Sequence, residues 1–155
     1  MRRLLLLLSH GVALAIGFAL GIYALPILTA PPAPDAAMLQ ERAQGAAFTA
    51  EFRRDLAGSD FLHWGEGRVS LTDSQIVHEG RLAPGPDYKL YLLPRFIEDE
   101  AGFEGLRPQA LRVGDVKSFS GFVLDLPGGV DLTRYDTVLI WCETFGEFIT
   151  AAQFR

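Results

Sequence analysis

The chain alternates between two kinds of hydrophobic patterning, and the change comes near residue 30. From Leu4 to Leu28 the residues are almost continuously apolar. No Asp, Glu, Lys or Arg occurs there, and only Ser9, His10 and the Tyr23 hydroxyl interrupt the run. As a helix, these residues would extend roughly 37 Å, which spans a hydrocarbon layer of ~30 Å with some tilt. A secretory signal has a shorter apolar stretch and a small-residue cleavage site. Leu25-Pro26-Ile27-Leu28 makes a poor approach to cleavage, so residues 1–29 read first as an uncleaved signal-anchor, with a signal cleaved near the small residues of Ala33 to Ala37 as the alternative.

Beyond this run the pattern shortens. Residues 30–46 form a Pro/Ala-rich linker. Thr29 to Asp35 reads TAPPAPD, a stiff extended spacer expected to lift the following domain off the membrane. Asp35 is placed to cap a short helix through Gln44, which Gly45 ends. This segment reads as a stalk or connector rather than a core element. Residues 47–155 then carry strand-length segments: Phe48–Phe52, Gly67–Leu71, Gln75–Glu79, Tyr88–Leu93, Val113–Lys117, Gly121–Leu126, Thr137–Cys142 and Phe148–Ala152. Only Arg95 to Leu106 is helix-compatible, and Asp131–Tyr135 suits one helical turn. Strands at this spacing, punctuated by Gly and Pro, predict an all-β domain, a β-sandwich or a barrel-like fold. No Gly-rich phosphate loop follows a strand, which argues against a nucleotide-binding α/β fold.

Charge adds orientation and excludes partners. Arg2 and Arg3 are the only charges before the apolar run, and positive residues stay on the cytoplasmic side. The expected location is the cytoplasmic (inner) membrane, single-pass, with the N-terminus inside and the β domain on the periplasmic side. The chain carries a net charge of −5, and the exported part is more acidic still. Nucleic acid is therefore not an expected partner. Ala13, Gly17 and Gly21 share one helix face. Such a stripe permits a helix-mediated dimer through Gly17 and Gly21, but Gly and Ala are common in membrane helices anyway.

Chemistry-bearing residues are few. Cys142 is the single cysteine, so no internal disulfide forms, and an unpaired thiol in an oxidising compartment is unusual. Strand alternation puts it on the face of Val138 and Ile140, opposite Leu139 and Trp141. His63 and His78 are the only exported histidines. Both read first as surface or turn residues, His63 the more exposed, and no metal-ligand spacing joins them to each other or to Cys142. Asp87, at the exit of Ala83-Pro-Gly-Pro, is suited to fixing a turn. Glu98-Asp-Glu100 reads as a solvated helix face. Tyr88, Tyr91 and Trp141 offer aromatic surface for stacking or for core packing. No Ser-His-Asp arrangement or Gly-x-Ser-x-Gly elbow occurs, so no enzymatic constellation is recognisable.

The closing segment, from Tyr135 through Ile140-Trp141-Cys142 to Ala152, resembles the end of the DM-thirteen domain. Gly85-Pro-Asp87 with the strand Tyr88–Leu93, and Gly129-Val-Asp-Leu132, resemble the same family in order and spacing. The resemblance covers about Phe48 to Phe154. The family is described as an electron-transfer domain, found beside DOMON domains in animal proteins and alone in bacteria. It implies a β-sandwich extracellular module whose signature cysteine, matching Cys142, acts as a redox thiol or holds a prosthetic group such as haem. On that resemblance the expected function is a membrane-anchored redox module with a redox or envelope protein as partner. Cys142 is the candidate redox group, and Trp141, Asp87 and His63 are candidate cofactor neighbours. The competing expectation is a non-catalytic interaction or ligand-binding module of the cell envelope.

Overall fold

A computed structural model describes all residues, 1–155. The apolar run forms one helix, α1 (Arg2–Thr29), with Pro26 in its last turn. It is long and apolar enough to cross a membrane, and no residue of it is fully buried in the protein. Gly17 and Gly21 face open space.

A second helix, α2 (Ala36–Arg42), begins where Asp35 accepts the Met38 N–H at 2.8 Å, and Gly45 follows it with φ +73°. A left-handed residue after a helix end favours glycine, which has no Cβ to clash. α2 is a connector that packs against the domain instead of standing free of it. Leu39 is buried and packs over Gly121, and α2 lies on the sheet rather than away from it. Leu39, with half-buried Met38 beside it, docks this two-turn helix. Nor does the Pro-rich spacer lift the domain away. Ala30, Pro31 and Ala33 line a groove with Trp64, Leu82 and Pro84, so the connector runs along the sandwich.

The rest is a β-sandwich of two antiparallel four-stranded sheets, with strand orders β1-β2-β3-β6 and β5-β4-β7-β8. The strands are β1 (Phe48–Phe52), β2 (Gly65–Leu71), β3 (Gln75–Leu82), β4 (Tyr88–Leu93), β5 (Leu111–Val116), β6 (Phe122–Asp125), β7 (Thr137–Cys142) and β8 (Glu147–Gln153). A helix, α3 (Glu100–Leu106), capped by Asp99, lies between β4 and β5. Short 3-10 turns occupy Arg107–Gln109 and Leu132–Arg134. The edges of the two sheets approach each other, Gly114 of β5 facing Leu124 of β6, and Phe48 stacking 5.4 Å from Phe154.

Two apolar cores share β7 as their wall. Between the sheets lie Val69, Leu71, Ile76, Leu90, Val138, Ile140 and Cys142. Outside the second sheet, under α3, lie Leu56, Leu93, Phe103, Leu139, Trp141 and Phe148. Every residue of β7 is buried, because one face meets the opposing sheet and the other meets α3. That explains why its sequence is apolar from Val138 to Cys142 instead of alternating with polar residues. The backbone bulges where β8 passes Ile140 and Trp141: Ile140 pairs with Thr150 and Trp141 with Phe148, leaving Ile149 as the extra residue. A bulge re-aims a side chain. Here it sends Ile149 to the inter-sheet core and Phe148 to the outer one.

Candidate functional site

Cys142 is the last residue of β7 and is 2 % exposed. Its cross-strand neighbour is Tyr88, the first residue of β4. Opposed residues on adjacent strands hold their side chains within contact distance on one face. Past Cys142 the chain turns through Glu143–Gly146, where the Gly146 N–H donates to the Cys142 carbonyl at 2.9 Å and Gly146 takes φ +69°. The turn brings backbone N–H groups of Phe145 and Thr144 toward the sulfur, and that of Asp87 faces it from β4's approach. Burial pushes the thiol above its ordinary pKa, and these N–H groups work the other way, favouring the thiolate.

Beside the sulfur is a cavity of about 220 Å³, lined by Cys142, Tyr88, His63, Phe145 and Ile149 together with the Pro84-Gly85-Pro86 loop and Leu62. Ala19, Ile22 and Tyr23 of α1 complete it. A Cβ at Gly85 would sit 2.4 Å from the Tyr88 ring, so a larger residue there has to displace that ring or the loop. Burial pushes the Tyr88 hydroxyl well above its usual pKa, and the neighbouring Cys142 adds to the effect. The phenol therefore stays protonated beside the thiol.

His63 reaches the cavity because Asp60 folds its loop. One Asp60 oxygen accepts the N–H groups of Leu62 and His63, each at 2.7 Å, and the other lies 3.2 Å from His63 Nδ1. Burial alone would raise the Asp60 carboxyl, but these N–H groups and the imidazole hold it below the usual range. As an ionised acceptor, Asp60 accepts a hydrogen bond from His63 Nδ1–H, which in the neutral imidazole leaves Nε2 as the nitrogen with a free lone pair. A carboxylate-oriented imidazole of this kind is the usual support for a ligating or proton-accepting histidine.

Of the residues singled out from sequence, the structure brings Cys142 and His63 to one cavity. Asp87 contributes its backbone, while its carboxylate turns to the adjacent cleft, 2.5 Å from Lys89 Nζ and 3.2 Å from Thr144 Oγ1. Trp141 does not reach the cavity. It is 1 % exposed on the other side of β7, its ring 4.6 Å from that of Phe103, with the Arg107 guanidinium 6.0 Å away. Alternation forbids two successive strand residues from sharing a face. His78 is not a surface residue either. It is fully buried between Phe52 and Phe122, with Nε2 3.0 Å from the Glu66 carbonyl and Nδ1 without a partner, and burial lowers its pKa to about 4. Asp60, Leu62 and Phe145 went unnoticed in sequence as site residues. The Asp60-x-x-His63 spacing, which lets an aspartate bond the next turn's N–H groups, was the available signal for Asp60.

The family model described as Electron transfer DM13 matches residues 56–154. The chain belongs to the DM13 family. The match starts after β1, yet β1 pairs along its whole length with β2, so the folded unit extends beyond the matched residues. Comparison with curated proteins and with solved structures returned no match.

The donor set and the space disagree about haem. Thiolate and imidazole are both ligands of haem iron. The cavity of about 220 Å³ nevertheless does not fit a porphyrin, as sites for drug-sized molecules run to ~300–1,000 Å³. No three His, Cys, Asp or Glu side chains cluster in a way that would hold a metal ion.

Proposed function

We propose that this DM13 protein is a membrane-anchored redox module of the periplasmic side, in which the Cys142 thiol is the redox group. Its electron-transfer family supports the general role. The observation that carries the assignment is convergence on the sulfur: a cavity lies beside it, three backbone N–H groups face it, and an Asp60-oriented imidazole shares its chamber. A merely structural buried cysteine needs none of these. With one cysteine, the reversible oxidised states are a sulfenic acid or a mixed disulfide with a partner. The sulfenic acid forms when the thiolate takes an oxygen atom from a peroxide and water or an alcohol leaves. The mixed disulfide forms when the thiolate attacks a partner's disulfide and releases the partner's second sulfur as a thiol. His63 Nε2 is the group suited to take the thiol proton as either state forms, and Tyr88 is a neutral hydroxyl donor to the oxidised sulfur.

The apolar length of α1 and the position of Arg2 and Arg3 ahead of it support an N-inside anchor, and the domain would then lie in an oxidising compartment where such chemistry operates. The test uses full-length protein extracted from membranes. The absorption spectrum is recorded, and Cys142 oxidation is then followed by mass while the sample is poised at graded thiol–disulfide potentials. The expected result is a colourless protein whose folded state cycles reversibly at Cys142. A Soret band lost in Cys142→Ser would reassign the sulfur as a haem ligand. A colourless protein with a thiol inert until unfolding would leave an envelope interaction module.

A further inference from the structure

Beyond Thr29, the end of α1, the large hydrophobic side chains left exposed are Phe61 (85 %), Leu62 (40 %) and Phe145 (51 %). All three belong to the loops that surround the Cys142 cavity, and Leu62 and Phe145 line it. The opposite end of the sandwich is polar: the β2–β3 hairpin turns through Thr72-Asp-Ser74. An apolar end and a polar end on one small domain indicate that the two ends meet different surroundings.

The anchor identifies those surroundings. With 28 residues, α1 extends about 42 Å, some 12 Å more than a ~30 Å hydrocarbon layer. With Arg2 and Arg3 at the inner boundary, about twenty residues bring the helix to the outer boundary near Tyr23, an aromatic type that favours that level. Ile22 and Tyr23 line the Cys142 cavity. Phe18, Ile22, Leu25, Pro26 and Thr29 line an adjoining apolar cleft with Pro86 and Phe145, so the stretch of α1 that meets these loops is centred on the Tyr23 level. The apolar loops therefore stand level with the outer boundary. The connector agrees, since it climbs the sandwich from Ala30 and delivers α2 beside the Thr72–Gln75 hairpin at the far end.

We propose that the Phe61–Leu62 and Phe145 loops are seated in the outer headgroup layer of the membrane that holds α1, so that the Cys142 cavity opens onto lipid. Reactants then arrive at the sulfur by partitioning: amphiphilic molecules of the bilayer have access, and charged solutes of the aqueous phase do not. Lys89 stays compatible with this position because it is paired with Asp87 and Asp115, and Asp60 because its carboxylate accepts the N–H groups of Leu62 and His63.

This inference rests on α1 being a membrane anchor, and its test separates the two. Full-length protein carrying Cys142→Ser is reconstituted in phosphatidylcholine vesicles with a nitroxide at Leu14→Cys, Phe145→Cys or Asp73→Cys, and Leu62→Cys repeats the loop measurement. Collision with oxygen, which concentrates in hydrocarbon, is compared with collision with a water-soluble nickel complex. The expected order of oxygen preference is Leu14, then Phe145 and Leu62, then Asp73, with the nickel complex several-fold less able to reach the loop sites than Asp73. If Leu14 is deep while Phe145 and Leu62 match Asp73, the anchor stands and the seating is overturned. If Leu14 itself is as water-accessible as Asp73, both fall.

Discussion

Trp141 and Cys142 are neighbours in the chain and almost equally buried, yet β7 gives them opposite surroundings. Trp141 is wedged among Phe103, Phe148 and Leu139 under α3, where the space is filled. Cys142 faces the other sheet at its open end, where a cavity, a histidine and a tyrosine stand beside it. Burial by itself therefore does not separate a structural position from a chemical one. What separates them is whether space and polar groups adjoin the buried atom, and this difference is the basis for assigning function to the cysteine and packing to the tryptophan.

Substitutions can break that contrast. The largest effect is expected on the filled side. Trp141→Ala removes the largest side chain of the outer core and should destabilise the domain by about 3–5 kcal/mol, in the range for buried aromatic deletions. Denaturant unfolding measures it, and Cys142 chemistry at low denaturant should be unchanged.

Acid should act next, through the inter-sheet core. His78 titrates near 4 in the folded protein and near 6.5 when unfolded, so the unfolded chain binds the extra proton first as pH falls. Stability from neutral His78 is complete above about pH 6.5 and declines toward pH 4, by on the order of 3 kcal/mol in total. Thermal melts at pH 7 and 5 should differ, and His78→Leu should flatten the difference.

Smaller effects fall on the cavity wall. Gly85→Ala forces a Cβ into the Tyr88 ring, which should cost about 1–3 kcal/mol as overpacking does. It should also speed alkylation of Cys142 by displacing its cross-strand cover. Asp60→Ala deletes exposed bonds to Leu62 and His63 and should cost about 1 kcal/mol or less. Its sharper readout is a changed pH dependence of Cys142 oxidation, because the imidazole loses the carboxylate that fixes its tautomer.

The central strands were legible because their apolar runs end at turn residues. Tyr88–Leu93 follows Pro-Gly-Pro-Asp, and Thr137–Cys142 ends at a Glu-Thr-Phe-Gly turn, and both have the boundaries expected from sequence. The Asp35 cap of α2 was legible for the same local reason. Long-range placement was not. β3 continues three residues past Glu79 because β2 begins at Gly65 and pairs with Leu82, which polar Glu79-Gly-Arg81 conceals. His78 was misread because nothing near it in sequence announces the two phenylalanines, Phe52 and Phe122, that cover it. The site was half legible: Cys142 and its facing side follow from strand period and family resemblance. His63 joins it through a loop fold that only the Asp60 bonds explain.

The account turns on whether Cys142 is a reachable thiol in the folded protein. The direct measurement is the rate of Cys142 modification by a small uncharged alkylating reagent in full-length protein held in membranes, across pH and across denaturant concentrations below unfolding. The predicted result is modification of the native state, slower than for a free thiol because burial raises its pKa, and accelerating as pH rises. Modification that appears only at denaturant concentrations that unfold the sandwich would contradict it.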